Sequence, residues 1–133
     1  MIINQISVFL ENKPGQLCNL VNTLAGSGID LKALSLAESQ DYGILRIIVD
    51  EVEKATDIIK EQGWPCAVTP VISVTVPDEP GSLTKILSVI AENNVDLQYS
   101  YAFFSRVQGK ACIILRVDDN EKVEKILKEM NDN

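Results

Sequence analysis

Glu11-Asn12-Lys13-Pro14-Gly15-Gln16-Leu17 is the stretch on which the reading of this chain turns. It returns as Pro77-Asp78-Glu79-Pro80-Gly81-Ser82-Leu83, with Gly15 and Gly81 66 positions apart in a chain of 133 residues. In each copy an alternating apolar run stops at Pro-Gly and a helical pattern starts at once. Proline at a helix entry supplies a fixed φ and lacks only an N–H that would go unpaired there. Glycine then lets the backbone turn sharply and leaves no Cβ in the way of a ligand. Such a strand-to-helix turn gathers free backbone N–H groups near one point, where a carboxylate fits. A single Pro-Gly pair reads as turn punctuation. Two at matching places in a repeat ask for a common role.

Outward from the first copy, Ile2, Ile6, Val8 and Leu10 share one face of a strand, with Asn4 as the lapse. Leu17, Leu20, Val21, Leu24 and Ala25 form a helical stripe that Gly26-Ser27-Gly28 ends. Ile29-Asp30-Leu31 opens a second strand reaching Glu38. The turn Ser39-Gln40-Asp41-Tyr42-Gly43 leads into a third, Ile44 to Val49, so these two make a hairpin. From Asp50 the helical period returns through Val52, Ala55, Ile58 and Ile59, and Gly63 closes it. Trp64 to Thr69 reads as a fourth strand that Pro65 confines to an edge.

Pro70 marks the seam, and the pattern restarts with a strand from Val71 to Val76. The helix from Gly81 to Asn93 turns Leu83, Ile86, Leu87, Ile90 and Ala91 inward. Val95-Asp96-Leu97 repeats Ile29-Asp30-Leu31, and its strand alternates through Leu97, Tyr99, Tyr101 and Phe103. Such an aromatic row is ordinarily a sheet face in a core or interface. A turn from Arg106 to Gly109 precedes a strand from Ala111 to Val117. A last helix then uses Val123, Ile126, Leu127 and Met130, and nothing equivalent to Trp64–Thr69 comes after it.

The expected fold is α+β: two ferredoxin-like βαββαβ units with antiparallel sheets, 1–69 and 70–133, the second lacking its last strand. In the 4-1-3-2 strand order of that fold, the absent strand would flank Val71–Val76 and leave it as a bare edge. Either the first unit within the chain or a second chain across a two-fold axis would cover it, and the second is favoured, which implies a homodimer.

Composition removes several function classes. The net charge is −7 with no Lys/Arg cluster, which argues against nucleic acid as a partner. No run approaches the roughly 18 apolar residues of a membrane span. Met1-Ile2-Ile3-Asn4 lacks the basic start of a signal peptide, so a cytoplasmic location is expected. Cys18, Cys66 and Cys112 have neither C-x-x-C spacing nor an even count and read as reduced thiols. With no histidine, Ser-His-Asp and Cys-His catalysis and His-based zinc sites drop out. No enzyme activity, metal or cofactor is expected.

The ordered pattern of strand, Asx-x-Pro-Gly-x-Leu, helix, Gly or Asn, then [Ile/Val]-Asp-Leu resembles the ACT domain, and it covers nearly the whole chain as a tandem pair. The resemblance implies a regulatory module that binds an amino acid or similar small metabolite at an interface between two such domains. Its site residues, carried over by match, are Asn12, Pro14, Gly15, Gln16, Leu17 and Asp30 in the first half. In the second half they are Asp78, Pro80, Gly81, Ser82, Leu83 and Asp96. Around Asn12 the turn is similar to the serine-binding ACT domain of phosphoglycerate dehydrogenase. Leu10 and Asp30 stand where that family has histidine and asparagine, which argues against serine. The helix N–H groups suit a zwitterion's carboxylate, and Asn12, Asp30 or Asp96 its ammonium. Asp30 and Asp96 are also ordinary strand-entry residues that bond nearby backbone. The function implied is a stand-alone sensor that passes its signal to an enzyme of amino-acid metabolism. The alternative is a regulatory subunit or interaction module with no working ligand site.

Overall fold

A computed structural model describes residues 1–38, 41–104 and 107–131. Ser39 and Gln40 of the first hairpin turn, Arg106 of the second and the terminal Asn133 lie outside the described residues. The elements run β1 (Ile2–Glu11), α1 (Gln16–Gly26), β2 (Leu31–Glu38), β3 (Tyr42–Val49), α2 (Val52–Glu61) and β4 (Cys66–Pro77). Then come α3 (Ser82–Glu92), β5 (Leu97–Ala102), β6 (Lys110–Val117) and α4 (Asn120–Asn131). They divide into two compact units, Asn4–Thr69 and Met1–Ile3 with Pro70–Asn133.

In the unit Asn4–Thr69 the strands stand in the order β2-β3-β1-β4. β1 and β3 are antiparallel with Ile6 opposite Ile47 and Leu10 opposite Gly43. Ile6, Val8 and Leu10 meet Leu20 and Leu24 of α1 and Ala55 and Ile59 of α2 in one core. Ala25, expected in the α1 stripe, is exposed. Leu17, Leu20 and Leu24 already fill the core-facing side, and Ala25 falls about 100° further round the helix.

In the other unit the order is β4-β6-β5. Ile72, Val74 and Val76 pack on Ile86 and Ile90 of α3 and Val123 and Leu127 of α4. Leu83 and Ala91, expected to point inward, are exposed, Leu83 by 43%. The inward face of α3 is narrower than its apolar pattern. Both units are ferredoxin-like, and no strand follows α4 among the described residues.

One expectation about strands is corrected. Trp64–Thr69 and Val71–Val76 are not separate strands, because β4 runs unbroken from Cys66 to Pro77. Pro70 is tolerated there because it has no N–H to leave unpaired, while its carbonyl accepts from Arg116 Nη1 at 3.4 Å and Asn120 Nδ2 at 3.1 Å. At Ser73 the Val71–Val76 edge is met by the chain's own Met1. The Ser73 N–H donates to the Met1 carbonyl at 2.8 Å, and the Met1 ammonium donates back to the Ser73 carbonyl at 3.0 Å. Ile2 packs on the core of that unit, and its N–H donates to Glu124 Oε2 at 3.0 Å. Met1 and Ile2 thus stand beside β4 and α4 in that unit.

Candidate functional site

The two Pro-Gly turns fold alike. Gly15 and Gly81 adopt left-handed φ of 86° and 90°, which a Cβ would strain. In the first, Lys13 N–H donates to the Glu11 carbonyl at 2.8 Å and Gln16 N–H to the Lys13 carbonyl at 3.4 Å. In the second, Glu79 N–H donates to the Pro77 carbonyl at 3.0 Å and Ser82 N–H to the Glu79 carbonyl at 3.3 Å. No side chain caps α1 or α3. The positive ends of both helices are therefore left to solvent or a ligand.

Beneath the first turn lies an open cavity of about 260 Å³. Leu10, Leu17, Leu36 and Gly43 give it apolar surface, and Glu11, Asn12, Lys13, Gln16 and Glu38 its polar groups. At Gly43 a side chain would crowd the cavity's walls. A Cβ there would come within 3.1 Å of Leu36 Cδ1 and 3.6 Å of Asn12 Oδ1. Lys13 Nζ pairs with Glu11 Oε2 at 2.8 Å, both side chains being exposed. The Lys13 hydrogen bond and charge hold the Glu11 carboxyl below its ordinary value, and Glu11 raises Lys13 in return. The Trp64 indole N–H donates to Gln16 Oε1 at 3.4 Å, tying the first residue of α1 to the chain after α2.

The second turn has a cavity of about 330 Å³ with different walls. Asp78, Glu79 and Ser82 stand at the turn, with Leu83, Tyr101 and Ala111 among the rest. No Lys or Arg lines it among the described residues. Glu79 occupies the place of Lys13, so the charge at the turn is reversed.

The structure brings Asn12, Gln16 and Leu17 to one cavity and Asp78, Ser82 and Leu83 to the other. Pro14, Gly15, Pro80 and Gly81 shape the turns without lining either cavity. Asp30 and Asp96 lie elsewhere, beyond the far ends of α1 and α3. An 11-residue helix puts Asp30 roughly 16 Å from the first turn. There the Asp30 N–H donates to Asp50 Oδ1 at 3.0 Å, and Lys54 Nζ caps the Ser27 carbonyl at 2.9 Å. Asp96, Asp118, Lys122 and Asn93 repeat the arrangement. The sequence does not single out Lys13, Leu36, Glu38 and Gly43. The Lys13-to-Glu79 reversal is visible at the repeat offset, whereas the other three join the site only through strand pairing.

No group of three or more His, Cys, Asp or Glu able to hold a metal occurs among the described residues, and no helix there is long and apolar enough to cross a membrane. The fold and its turns define a duplicated ferredoxin-like module with a ligand-sized cavity at each strand–helix turn. The chain belongs to the ACT domain pair family, which matches residues 1–132. ACT domain pairs are regulatory, amino-acid-sensing modules without catalysis of their own. Among solved structures, protein BT0572 from Bacteroides thetaiotaomicron is 35% identical with a TM-score of 0.91, over 98% of this chain and 90% of that one. The regulatory subunit of aspartate kinase from Thermus thermophilus, ligand-free, shares the fold at 13% identity and a TM-score of 0.70, over 97% and 96% of the two chains. The aspartate kinase of Synechocystis does so at 14% identity and 0.60, over 96% of this chain and 25% of that one. No curated protein matches the sequence.

Proposed function

We propose that the chain is a non-catalytic regulator that senses a free amino acid in the cavity at the Pro14-Gly15 turn. The observation that carries this reading is the meeting, at one place, of uncapped helix N–H groups with a cavity rimmed by Asn12 and Lys13. The helix end and the lysine both attract a carboxylate. At the other turn Asp78 and Glu79 repel one.

A sensor without catalysis acts through another protein, and an enzyme of amino-acid metabolism is the partner proposed. A homodimer stays within the proposal on the general ground that small units gain from added burial. Light scattering at micromolar concentration and pull-down from lysate test these two points. The three cysteines, free of disulfides, suit a reducing cytoplasm.

The test of the central claim is a thermal-shift screen against the common amino acids. A ligand at a hundredfold its dissociation constant adds about 2.7 kcal/mol to stability, which raises the melting temperature visibly. A flat response to every amino acid at millimolar concentration overturns the reading.

A further inference from the structure

The first cavity carries opposite charges on two different elements. Lys13 belongs to the β1–α1 turn, and Glu38 ends β2 on the face it shares with Leu34 and Leu36. Across the sheet Leu10 stands opposite Gly43 and Gly43 opposite Glu38, so the end of β2 and the β1–α1 turn border the same cavity. A zwitterion entering it meets a cation from one element and a carboxylate from the other. Between them β3 offers Gly43, whose bare Cα keeps the space open. Glu11 engages one N–H of the Lys13 ammonium, which has three to give. At the repeat offset Glu79 replaces Lys13 and Phe104 replaces Glu38, so the second cavity lacks this polarity.

We propose that Glu38 takes the ammonium and Lys13 the carboxylate of a neutral amino acid whose apolar side chain lies against Leu10, Leu17 and Leu36. This rests on the amino-acid-sensing reading and adds to it a ligand class and a binding residue, Glu38. The side-chain preference comes from the walls: apart from Gly43, the apolar lining of the cavity is leucine.

Calorimetry with L-valine, L-aspartate, L-lysine and 2-hydroxyisovalerate, the α-hydroxy analogue of valine, tests it. Wild-type protein should bind valine more tightly than either charged amino acid, and at least about tenfold more tightly than the hydroxy analogue, which lacks the ammonium. Glu38→Gln, an exposed position where the fold has little to lose, should weaken valine by a similar factor and leave the analogue nearly unchanged. The gap between the two ligands then closes in the variant. Persistence of the gap in Glu38→Gln overturns the assignment of Glu38, and tighter binding of lysine or aspartate than valine overturns the ligand class. Either result leaves amino-acid sensing standing. Failure of all the common amino acids to bind removes both readings.

Discussion

At position 12 the first turn has asparagine, and 66 residues on the second has aspartate at 78. Asparagine offers both donors and an acceptor, so it can meet either end of a zwitterion. A carboxylate in that place repels the group that the helix N–H donors attract. Asn12→Asp is therefore expected to weaken amino-acid binding at least about tenfold by calorimetry, the scale of one charge-assisted bond. Asp78→Asn should change it little, and equal losses would remove the argument that the sites differ. Glu11 gives a second prediction at this scale. Its carboxyl is held below its ordinary value by Lys13, so the pair's contribution is present above that value and fades as pH falls through the lowered one. An NMR titration should find Glu11 titrating lower than a free glutamate and returning toward normal in Lys13→Ala. The effect on stability should be small, because both groups are exposed. Asn12, Gln16 and Leu17 were legible in the sequence because the turn is contiguous. Glu38 and Gly43 were not, since they reach the turn only through the β1–β3 and β2–β3 registers.

At the scale of elements, the strand–helix–strand order was legible because proline, glycine and asparagine mark its breaks. The helix ends show how literally the repeat is kept. Gly28 at φ 76° closes α1, and Asn94 at φ 57° does the same for α3. In both, the next N–H reaches back into the helix: Ile29 to the Leu24 carbonyl at 3.1 Å and Val95 to the Ile90 carbonyl at 3.2 Å. Asparagine is among the few side chains that tolerate this conformation. Asn94→Ala should lower stability by about 1–2 kcal/mol in urea, whereas Asn94→Gly should be neutral or better. Equal effects of the two would mean that the left-handed turn is not the cause. The aromatic strand was less legible. Leu97 pairs with Val117, but after an irregularity Tyr99 pairs with Arg116 and Tyr101 with Ile114. One extra residue turns the rest of the strand to the other face, so the row that alternates in sequence does not share the side of Leu97. Leu31, Ala33 and β3 carry the same shift. The two tyrosine rings stack with centroids 6.5 Å apart. No residue type in the strand marks the bulge, because the cause is pairing with β6.

Over the whole molecule, the duplication was legible, but where the chain's first residues go was not. Ile2 reads as one of a face with Ile6, Val8 and Leu10, yet it packs on the core formed by Ile72, Val74 and Leu127. Alternation along a strand assigns a side of the sheet and says nothing about which core lies under that side. Three features converge on this short segment: the Met1–Ser73 backbone pair, the Ile2 N–H bond to Glu124, and the buried part of the Ile2 side chain. Ile2→Asp removes the apolar contact and sets a second carboxylate near Glu124. The cost should be about 1–3 kcal/mol, the scale of a lost half-buried aliphatic group plus an unfavourable charge. Because openings are local and cooperative, amide exchange gives a sharper test than a melting temperature. In Ile2→Asp the Ser73 amide should exchange faster, with its β4 neighbours Val74 and Val76 close behind. The amides of Leu45 and Ile47 in the other unit's core should keep most of their protection. If Ser73 exchanges at the wild-type rate in the variant, Met1–Ile3 does not hold the β4 edge in solution. A second copy of the chain would again be the natural candidate to cover it.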